Sequence, residues 1–401
     1  MTDLTPARRW RALLSLALGG FGIGVAEFVA MGLLPQIAKD LLPDLWAASE
    51  EGALARGGLV ISAYALGVVL GAFTLAVATA RVPRKLAVVG FAAAFAAGSV
   101  LSAVAPSFEV LVLARFLAAL PHGAYFGFAS LIAGQLMGPG SRGKGIAFVL
   151  SGLTIANVVG VPLITILGQR LGWRSAYLAL TVIFAAATAA IALTVPRQPG
   201  NPHATIRGEL SVFRRTQVWL ALGIGAIGFG GFFAVYSYVA PMVTELAGLP
   251  EGWVPVTLVI VGIGMTVGNA LGGPFADKGA LPALLTLFPP YIVVLVLLAL
   301  LGGNPLMLVV LLFAMAALTM AMMPAIQTRL LDVSGDAQTL ASALNHASLN
   351  VGNSMGAALG GAVIAAGLGF RAPSWVGVVL AAVGLLLVLL ARLVERRQSA
   401  A

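Results

Sequence analysis

Long apolar runs, separated by short polar segments, extend along almost the whole chain. A run of about 20 apolar residues is long enough to cross the hydrocarbon core of a bilayer as an α-helix. Charged residues and clusters of proline and glycine bound twelve such runs. The predicted spans are 12–34, 58–80, 86–105, 109–136, 144–168, 174–195, 218–244, 254–276, 280–302, 305–328, 338–366 and 373–392. The pattern therefore predicts an all-α polytopic membrane protein with twelve transmembrane helices.

The first run follows a basic start that resembles the beginning of a signal peptide, with arginine at positions 8, 9 and 11. Its apolar run is longer than a signal-peptide core, no small-residue cleavage site closes it, and further spans follow. We therefore expect a first transmembrane helix that stays attached to the chain.

A polar and basic stretch, residues 196–217, lies at the midpoint of the chain. It predicts a linker between an N-terminal six-helix bundle, residues 1–195, and a C-terminal six-helix bundle, residues 218–401. Small residues recur at four-residue spacing in two spans that are offset by half the chain, a pattern that allows helices to pack closely. They are Gly152, Ala156 and Gly160 in the fifth span and Gly352, Gly356 and Gly360 in the eleventh. The repeat favours two pseudo-symmetric bundles.

The composition agrees with lipid as the main solvent of the chain. Hydrophobic residues make up 60% and charged residues 9%, with a mean hydropathy of +1.02, whereas soluble domains carry about 25% charged residues. The net charge of +9 would suggest a nucleic-acid partner in a soluble protein, but here the basic residues lie in short loops between apolar runs. The absence of cysteine excludes disulfides and thiolate chemistry.

The basic residues predict the orientation of the chain, because cytoplasmic loops carry an excess of lysine and arginine. Alternate loops divide them seventeen to five, which predicts that both termini and the linker are cytoplasmic, in an inner or plasma membrane. The larger group is Arg8, Arg9, Arg11, Arg81, Arg84, Lys85, Arg142, Lys144, Arg197, Arg207, Arg214, Arg215, Lys278, Arg329, Arg392, Arg396 and Arg397. The smaller group is Lys39, Arg56, Arg170, Arg174 and Arg371.

An acid, an arginine and a histidine lie well inside predicted spans of the N-terminal half. Glu27 is in the first span, where a charged carboxylate is costly and must be paired, hydrated or protonated. Arg115, in the fourth span, lies roughly 10 Å below the outer surface, at a depth similar to that of Glu27. His122 follows two helical turns deeper. Functional and purely structural roles are both open, and an acid within the membrane favours function for Glu27.

Neutral polar and aromatic residues supply further candidates for a cavity. Asn157 is in the fifth span, and Ser342, His346, Asn350 and Asn353 share one face of the eleventh, where polar side chains also serve as links between helices. Aromatic surface comes from Phe126, Phe232, Phe233, Tyr236 and Tyr238. The sequence has no Gly-Lys phosphate-binding loop, metal-site pattern or nucleophile elbow, so we expect neither an enzyme nor a cofactor.

Four blocks of sequence resemble the major facilitator superfamily, specifically its twelve-span drug:proton antiporter branch and the arabinose-efflux-permease-like members within it. The blocks are GVAEFVAMGLLP, LARFLAALPHGAYFG, GLTIANVVGVPLITILGQRLGWR and ALNHASLNVGNSMGAALGG. The resemblance implies that Arg115 takes part in proton coupling. It also implies that Gly152, Gly160 and Pro162 form a helix bend associated with efflux.

One segment departs from the family pattern. The loop between the second and third spans usually has the sequence Gly-x-Leu-Ala-Asp-Arg-x-Gly-Arg-Lys, and here Ala80 takes the place of the aspartate. The second-half counterpart keeps Gly273, Asp277 and Lys278, and the resemblance implies that Gly273 and Asp277 are gating residues.

Together these features predict a secondary active transporter that exports a small organic molecule, such as a drug or a sugar, in exchange for protons by alternating access. Glu27 and Arg115 are the predicted proton-coupling residues, and the predicted cavity residues are His122, Phe126, Asn157, Phe233, Tyr236 and Asn350. The expected partners are the substrate, protons and membrane lipid, and the expected state is a monomer. Two alternatives stay open: proton-coupled uptake of a sugar or metabolite, and a receptor or scaffold with the same fold.

Overall fold

The computed structural model describes residues 5–79, 81–137, 142–198, 214–277, 279–334 and 338–400, which are helical and contain no strand. The first half comprises α1 (Pro6–Gly32), α2 (Leu34–Leu41), α3 (Pro43–Ala48), α4 (Glu50–Gly57), α5 (Leu59–Ala78), α6 (Arg84–Ala103), α7 (Phe108–Ala119), α8 (His122–Met137), α9 (Arg142–Ile155), α10 (Val161–Leu171) and α11 (Trp173–Thr194). The second half comprises α12 (Thr216–Gly223), α13 (Phe229–Tyr236), α14 (Val239–Pro241), α15 (Trp253–Asp277), α16 (Ala280–Leu301), α17 (Pro305–Ser334), α18 (Gln338–Ala365) and α19 (Ala372–Ala400). Three π-helical turns lie between them, at Ala156–Gly160, Ile224–Gly228 and Met242–Leu246.

The helices confirm the prediction of an all-α polytopic membrane protein. Within the described ranges, eleven helical stretches are long and apolar enough to cross a bilayer. The predicted eleventh span is the 28-residue helix α18, which is not among them because amide and imidazole side chains lower its hydropathy. Each of the other predicted spans overlaps one of the eleven.

The turns between spans follow local backbone chemistry. Gly172 (φ 85°) separates α10 from α11, and Gly279 (φ 117°) precedes α16. These φ values favour glycine because a Cβ would clash with the backbone there. Helices α2, α3 and α4, which were not predicted, together occupy the connection between the first and second spans. Pro35 lies at the start of α2, whose first-turn positions need no N–H donor.

The chain forms two compact units. The first unit comprises Met1–Ala30 and Leu66–Ala204, and the second comprises Met31–Ala65 and Thr205–Ala401. The predicted division into residues 1–195 and residues 218–401 stays a prediction. Residues 199–213 of the predicted linker lie outside the described residues.

The predicted glycine stripes lie at close helix contacts, which confirms their packing role. In the first unit, Gly152 meets the backbone of Ala17 and Phe21 on α1. In the second unit, the stripe of α18 meets the backbone of the seventh span. The contacts pair Gly352 with Ala226, Gly356 with Gly230 and Gly360 with Ala234. In each case a carbonyl oxygen occupies the space that a Cβ would need. The helices can therefore approach this closely only where the residue has no side chain.

A second pair of glycine stripes was not predicted from the sequence. On α5, Gly67 and Gly71 meet the backbone carbonyls of Phe116 and Leu120. On α15, Gly264, Gly268 and Gly272 meet the backbone carbonyls of Phe313, Ala317 and Ala321 on α17. Each half of the chain therefore uses the same scheme, in which its second span packs on its fourth and its fifth span packs on its first.

The connection between the first and second spans packs within the second unit through a small apolar cluster. Its buried members are Leu34, Ala38, Ala53, Leu54, Tyr238 and Ile364. The Tyr238 hydroxyl donates to the carbonyl of Ala357 at 2.8 Å, and Gly58 and Gly361 leave room for it. Burial of this cluster explains why residues 31–65 associate with the C-terminal helices.

Candidate functional site

Glu27 and Arg115 both lie in the interior of the first unit. Glu27, on α1, is 8% exposed, and Arg115, on α7, is 1% exposed. The guanidinium carbon of Arg115 lies 5.7 Å from the ring centroid of Tyr177, a buried residue of α11. A desolvated cation–π contact of this kind is worth about 2 kcal/mol. Tyr177 therefore positions Arg115, a role that no sequence pattern indicated because the two residues lie on different spans, far apart along the chain.

The helix that carries Glu27 is held against α8 by a buried tyrosine. The hydroxyl of Tyr125 donates to the carbonyl of Leu16 at 2.8 Å, and Gly19 leaves the space for its ring. A side chain at position 19 would collide with this ring. The contact fixes α1 relative to the span that also carries Arg115.

The fourth span is interrupted between its two candidate residues. Helix α7 ends at Ala119, a turn occupies residues 120 and 121, and α8 begins at His122. Pro121 lacks the N–H group that a continuous helix would use there, which accounts for the break. His122 is 3% exposed, and its ring centroid lies 5.5 Å from that of Phe126, which is also buried.

The fifth span contains the π-helical turn Ala156–Gly160, at the place where the resemblance implies a bend. Pro162 has no N–H for the carbonyl of Val158, four residues earlier, and this loss favours a widened turn. Asn157 lies in the turn, 6% exposed, with its Nδ2 donating to the carbonyl of Leu153 at 3.1 Å. Its Oδ1 has no hydrogen-bond partner among the described residues. The turn thus leaves a buried amide acceptor, the kind of group that a polar ligand satisfies.

Gly152 and Gly160 flank this turn and set how closely it approaches α1. A Cβ at Gly152 would meet the backbone of Ala17 and Phe21, whereas one at Gly160 would meet the side chains of Val25 and Phe21 at 2.5–2.8 Å. We expect Gly152→Ala to lower stability by about 1–3 kcal/mol, because backbone atoms cannot move aside as side chains can. The effect of Gly160→Ala should be smaller.

This ranking is measured by thermal unfolding of the purified variants in one detergent. Gly127→Ala is the matched control, because no heavy atom lies within 4 Å of a Cβ at that position. It should be neutral or slightly stabilising, since alanine favours helix over glycine. If alanine at position 127 lowers thermal stability as much as alanine at position 152 does, the proposed role of the contact with α1 is contradicted.

In the second unit, the predicted aromatic residues pack on one another. Phe232 stacks on Tyr236 with ring centroids 5.0 Å apart and meets Phe233 edge-on at 5.1 Å. All three are at most 4% exposed. These rings therefore form a packed cluster on α13 whose members support one another.

The polar stripe of α18 is buried and incompletely hydrogen-bonded. Asn350 donates to the carbonyl of His346 at 3.0 Å, and its Oδ1 has no hydrogen-bond partner within the described part of the chain. Asn353 is 1% exposed, and neither polar atom of its side chain has such a partner there. The Oδ1 of Asn345 also has no hydrogen-bond partner among the described residues. Asn345 and Asn353 therefore join Asn350 as candidates. The sequence placed Asn353 on the same face of the span, but only Asn350 was among the predicted cavity residues.

The remaining predicted gating residues are only partly described. Gly273 lies on α15, and no heavy atom lies within 4 Å of the position that a Cβ would take there. The side chain of Asp277, and Lys278 and Ala80 entirely, lie outside the described residues. Among the described residues, no group of three His, Asp or Glu side chains could hold a metal ion.

This architecture, with apolar spans that carry a few buried polar groups, defines a multi-pass α-helical membrane protein. The family model for the Major Facilitator Superfamily matches residues 16–304 and 252–401. The chain is 36% identical over 379 residues to the inner membrane transport protein YdhP of Escherichia coli, covering 94% of each. It is 33% identical over 375 residues to a chloramphenicol resistance protein of Streptomyces lividans, covering 92% of this chain and 93% of that protein.

The solved structures agree on the fold. A D-xylose-proton symporter superimposes with a TM-score of 0.76 at 16% identity, over 94% of this chain and 97% of the symporter. The chain belongs to the Major Facilitator Superfamily, as the four sequence blocks indicated.

Proposed function

We propose that this transporter exports a small organic molecule in exchange for protons. The observation that carries the proposal is Glu27, a carboxyl group 8% exposed in the interior of a transmembrane span. Holding a fixed charge there is costly, and acids inside membrane spans mark substrate pathways, proton relays and counter-ion sites. Glu27 is the proton site, and the substrate competes with the proton for it.

Arg115 is the electrostatic partner in this mechanism. A guanidinium stays charged under all physiological conditions, so it can favour the ionised form of a carboxyl without itself titrating. The contact with Tyr177 keeps the guanidinium in place while the carboxyl changes state. A change in the separation of the two groups between transport states would alter the proton affinity of Glu27, and such a difference is what coupling requires.

Two further observations support export. The π-helical turn at Ala156–Gly160 supplies a deformable point in the span where the resemblance implies an efflux-related bend. The name of the Streptomyces lividans relative denotes resistance to chloramphenicol, a small organic molecule. In the first unit, the buried amide of Asn157, whose Oδ1 has no hydrogen-bond partner among the described residues, is a suitable polar contact for such a ligand.

The proposal is tested with a panel of antibiotics, dyes and sugars in cells that lack their own exporters. Expression of the chain should lower intracellular accumulation of at least one compound, and an uncoupler should restore that accumulation. Energised uptake of a panel compound instead would establish the uptake alternative. Absence of movement in either direction, with normal membrane insertion, would favour the receptor or scaffold alternative.

A further inference from the structure

A cavity of about 400 Å³ lies at one end of the second unit, where α12 begins and where α17 and α19 approach their ends. This volume is sufficient for a small charged group. The lining residues are Arg214, Arg215, Thr216, Gln217, Arg329, Asp332, Val333 and Glu395. The proposed transport mechanism uses none of these residues.

Arg329 is the buried cation of this cavity. It is 7% exposed, its Nη1 lies 2.6 Å from Oε1 of Glu395, and its Nη2 donates to Oε1 of Gln217 at 2.9 Å. Its Nε has no hydrogen-bond partner among the described residues. A buried donor without an acceptor costs about 1–3 kcal/mol, and the side chain that carries this donor forms part of the cavity wall.

The start of α12 adds further donors at the same place. Arg215 is the N-cap residue, and its side chain does not cap the helix, so the first backbone N–H groups of α12 keep their capacity to bind an anion. The Nη1 of Arg215 donates to the carbonyl of Val333 at 3.1 Å, which holds this guanidinium at the edge of the cavity. Arg214 is exposed beside it.

The charges favour an anion even though two acids line the cavity. Three arginines and two acids, Asp332 and Glu395, line the cavity, and Glu395 already forms an ion pair with Arg329. A phosphate group has enough oxygens to accept from several guanidinium groups and from a helix N-terminus together. A carboxylate has only two oxygens, so it could accept hydrogen bonds from fewer of these donors.

We propose that this cavity binds a phosphate group, supplied either by the headgroup of an anionic phospholipid or by free phosphate. The basic-residue bias predicts that this end faces the cytoplasm, where the membrane surface carries anionic lipids. Trp219, three residues into α12, is 57% exposed, as is typical of tryptophan at the level of the headgroups. The bound phosphate would link α12, α17 and α19 and stabilise the second unit. This inference is independent of the transport direction and of Glu27.

The test uses the purified full-length chain in detergent, with phosphatidylglycerol, phosphatidylcholine or inorganic phosphate as probes. Native mass spectrometry counts bound lipid, and thermal unfolding measures stabilisation. The double variant Arg214→Gln/Arg215→Gln should bind the phosphate probe at least about tenfold more weakly, as expected for the loss of charged hydrogen bonds. The double variant Arg396→Gln/Arg397→Gln removes the same charge from exposed positions outside the cavity and should bind as the wild type does.

The outcomes distinguish the two sources. Selective retention of phosphatidylglycerol over phosphatidylcholine, with competition by inorganic phosphate, identifies a lipid headgroup. Stabilisation by inorganic phosphate alone, lost in the Arg214/Arg215 variant, identifies free phosphate. If both double variants lose the same amount of phosphate binding, the binding depends on general surface charge and the proposal is overturned. A wild-type chain that binds neither phosphatidylglycerol nor inorganic phosphate would overturn it as well. The tested arginines are exposed, so the result does not depend on whether an Arg329→Gln variant folds.

Discussion

Glu27→Gln is expected to reduce proton-driven efflux to the background leak while leaving the protein folded in the membrane. Glutamine has nearly the shape of a protonated glutamate but cannot exchange a proton, so it fixes the site in one protonation state. A proton can drive substrate movement only if its affinity differs between two states. The measurement is accumulation of a panel compound in energised everted vesicles, together with substrate-induced proton release from the purified protein.

The matched control is Glu27→Asp, which keeps a titratable carboxyl group and shortens the side chain by one methylene. It should retain part of the proton release, and both variants should elute as single species on size exclusion. If Glu27→Gln pumps at the normal rate and an uncoupler still stops it, the coupling site lies elsewhere. His122, 3% exposed in the same unit, would then be the first candidate.

The double variant Gly268→Ala/Gly272→Ala is expected to lower the recovery of folded protein strongly. A Cβ at either position would overlap the backbone of α17, at Ala317 and Ala321. Overpacking in a rigid contact costs about 1–3 kcal/mol or more at each site, against a total stability of about 5–15 kcal/mol. Backbone atoms cannot rotate away, so the two helices must separate along their contact. The measurement is the monodisperse yield after detergent extraction.

Gly273→Ala, one residue further along the same helix, is the control. No heavy atom lies within 4 Å of a Cβ at that position, and the helix preference of alanine over glycine should leave the yield unchanged or higher. A normal yield from the Gly268/Gly272 variant would mean that α15 and α17 tolerate a wider separation than the structure has.

The glycine stripes show which features of a helix contact a sequence pattern can predict and which it cannot. The spacing of Gly152 and Gly160 predicted a close helix contact, and the structure supplied its partner, α1. The stripe on α15 has the same four-residue spacing but was not predicted, because glycine is common in membrane helices and a stripe does not reveal which surface it meets. Partner choice depends on residues far apart along the chain.

The charged residues of the candidate site could be predicted from the sequence, whereas the residues that surround them could not. Glu27 and Arg115 stand out in the sequence because charge inside an apolar run is rare and costly. Tyr177 and Asn353 do not, since a tyrosine in a span or an asparagine on a polar stripe has many structural uses. Their burial and contacts became visible once the helices were packed.

The sequence by itself determined the spans and the class of protein. The reason is that each span must satisfy its backbone hydrogen bonds internally and present an apolar surface to lipid, and both requirements are local. The tertiary structure decided the rest: the break before His122, the π-helical turn around Asn157, and the association of residues 31–65 with the C-terminal helices. It also brought Arg329 to Glu395 at one end of the second unit. These features depend on which surfaces meet, and within lipid that choice rests on close packing and polar contacts between distant residues.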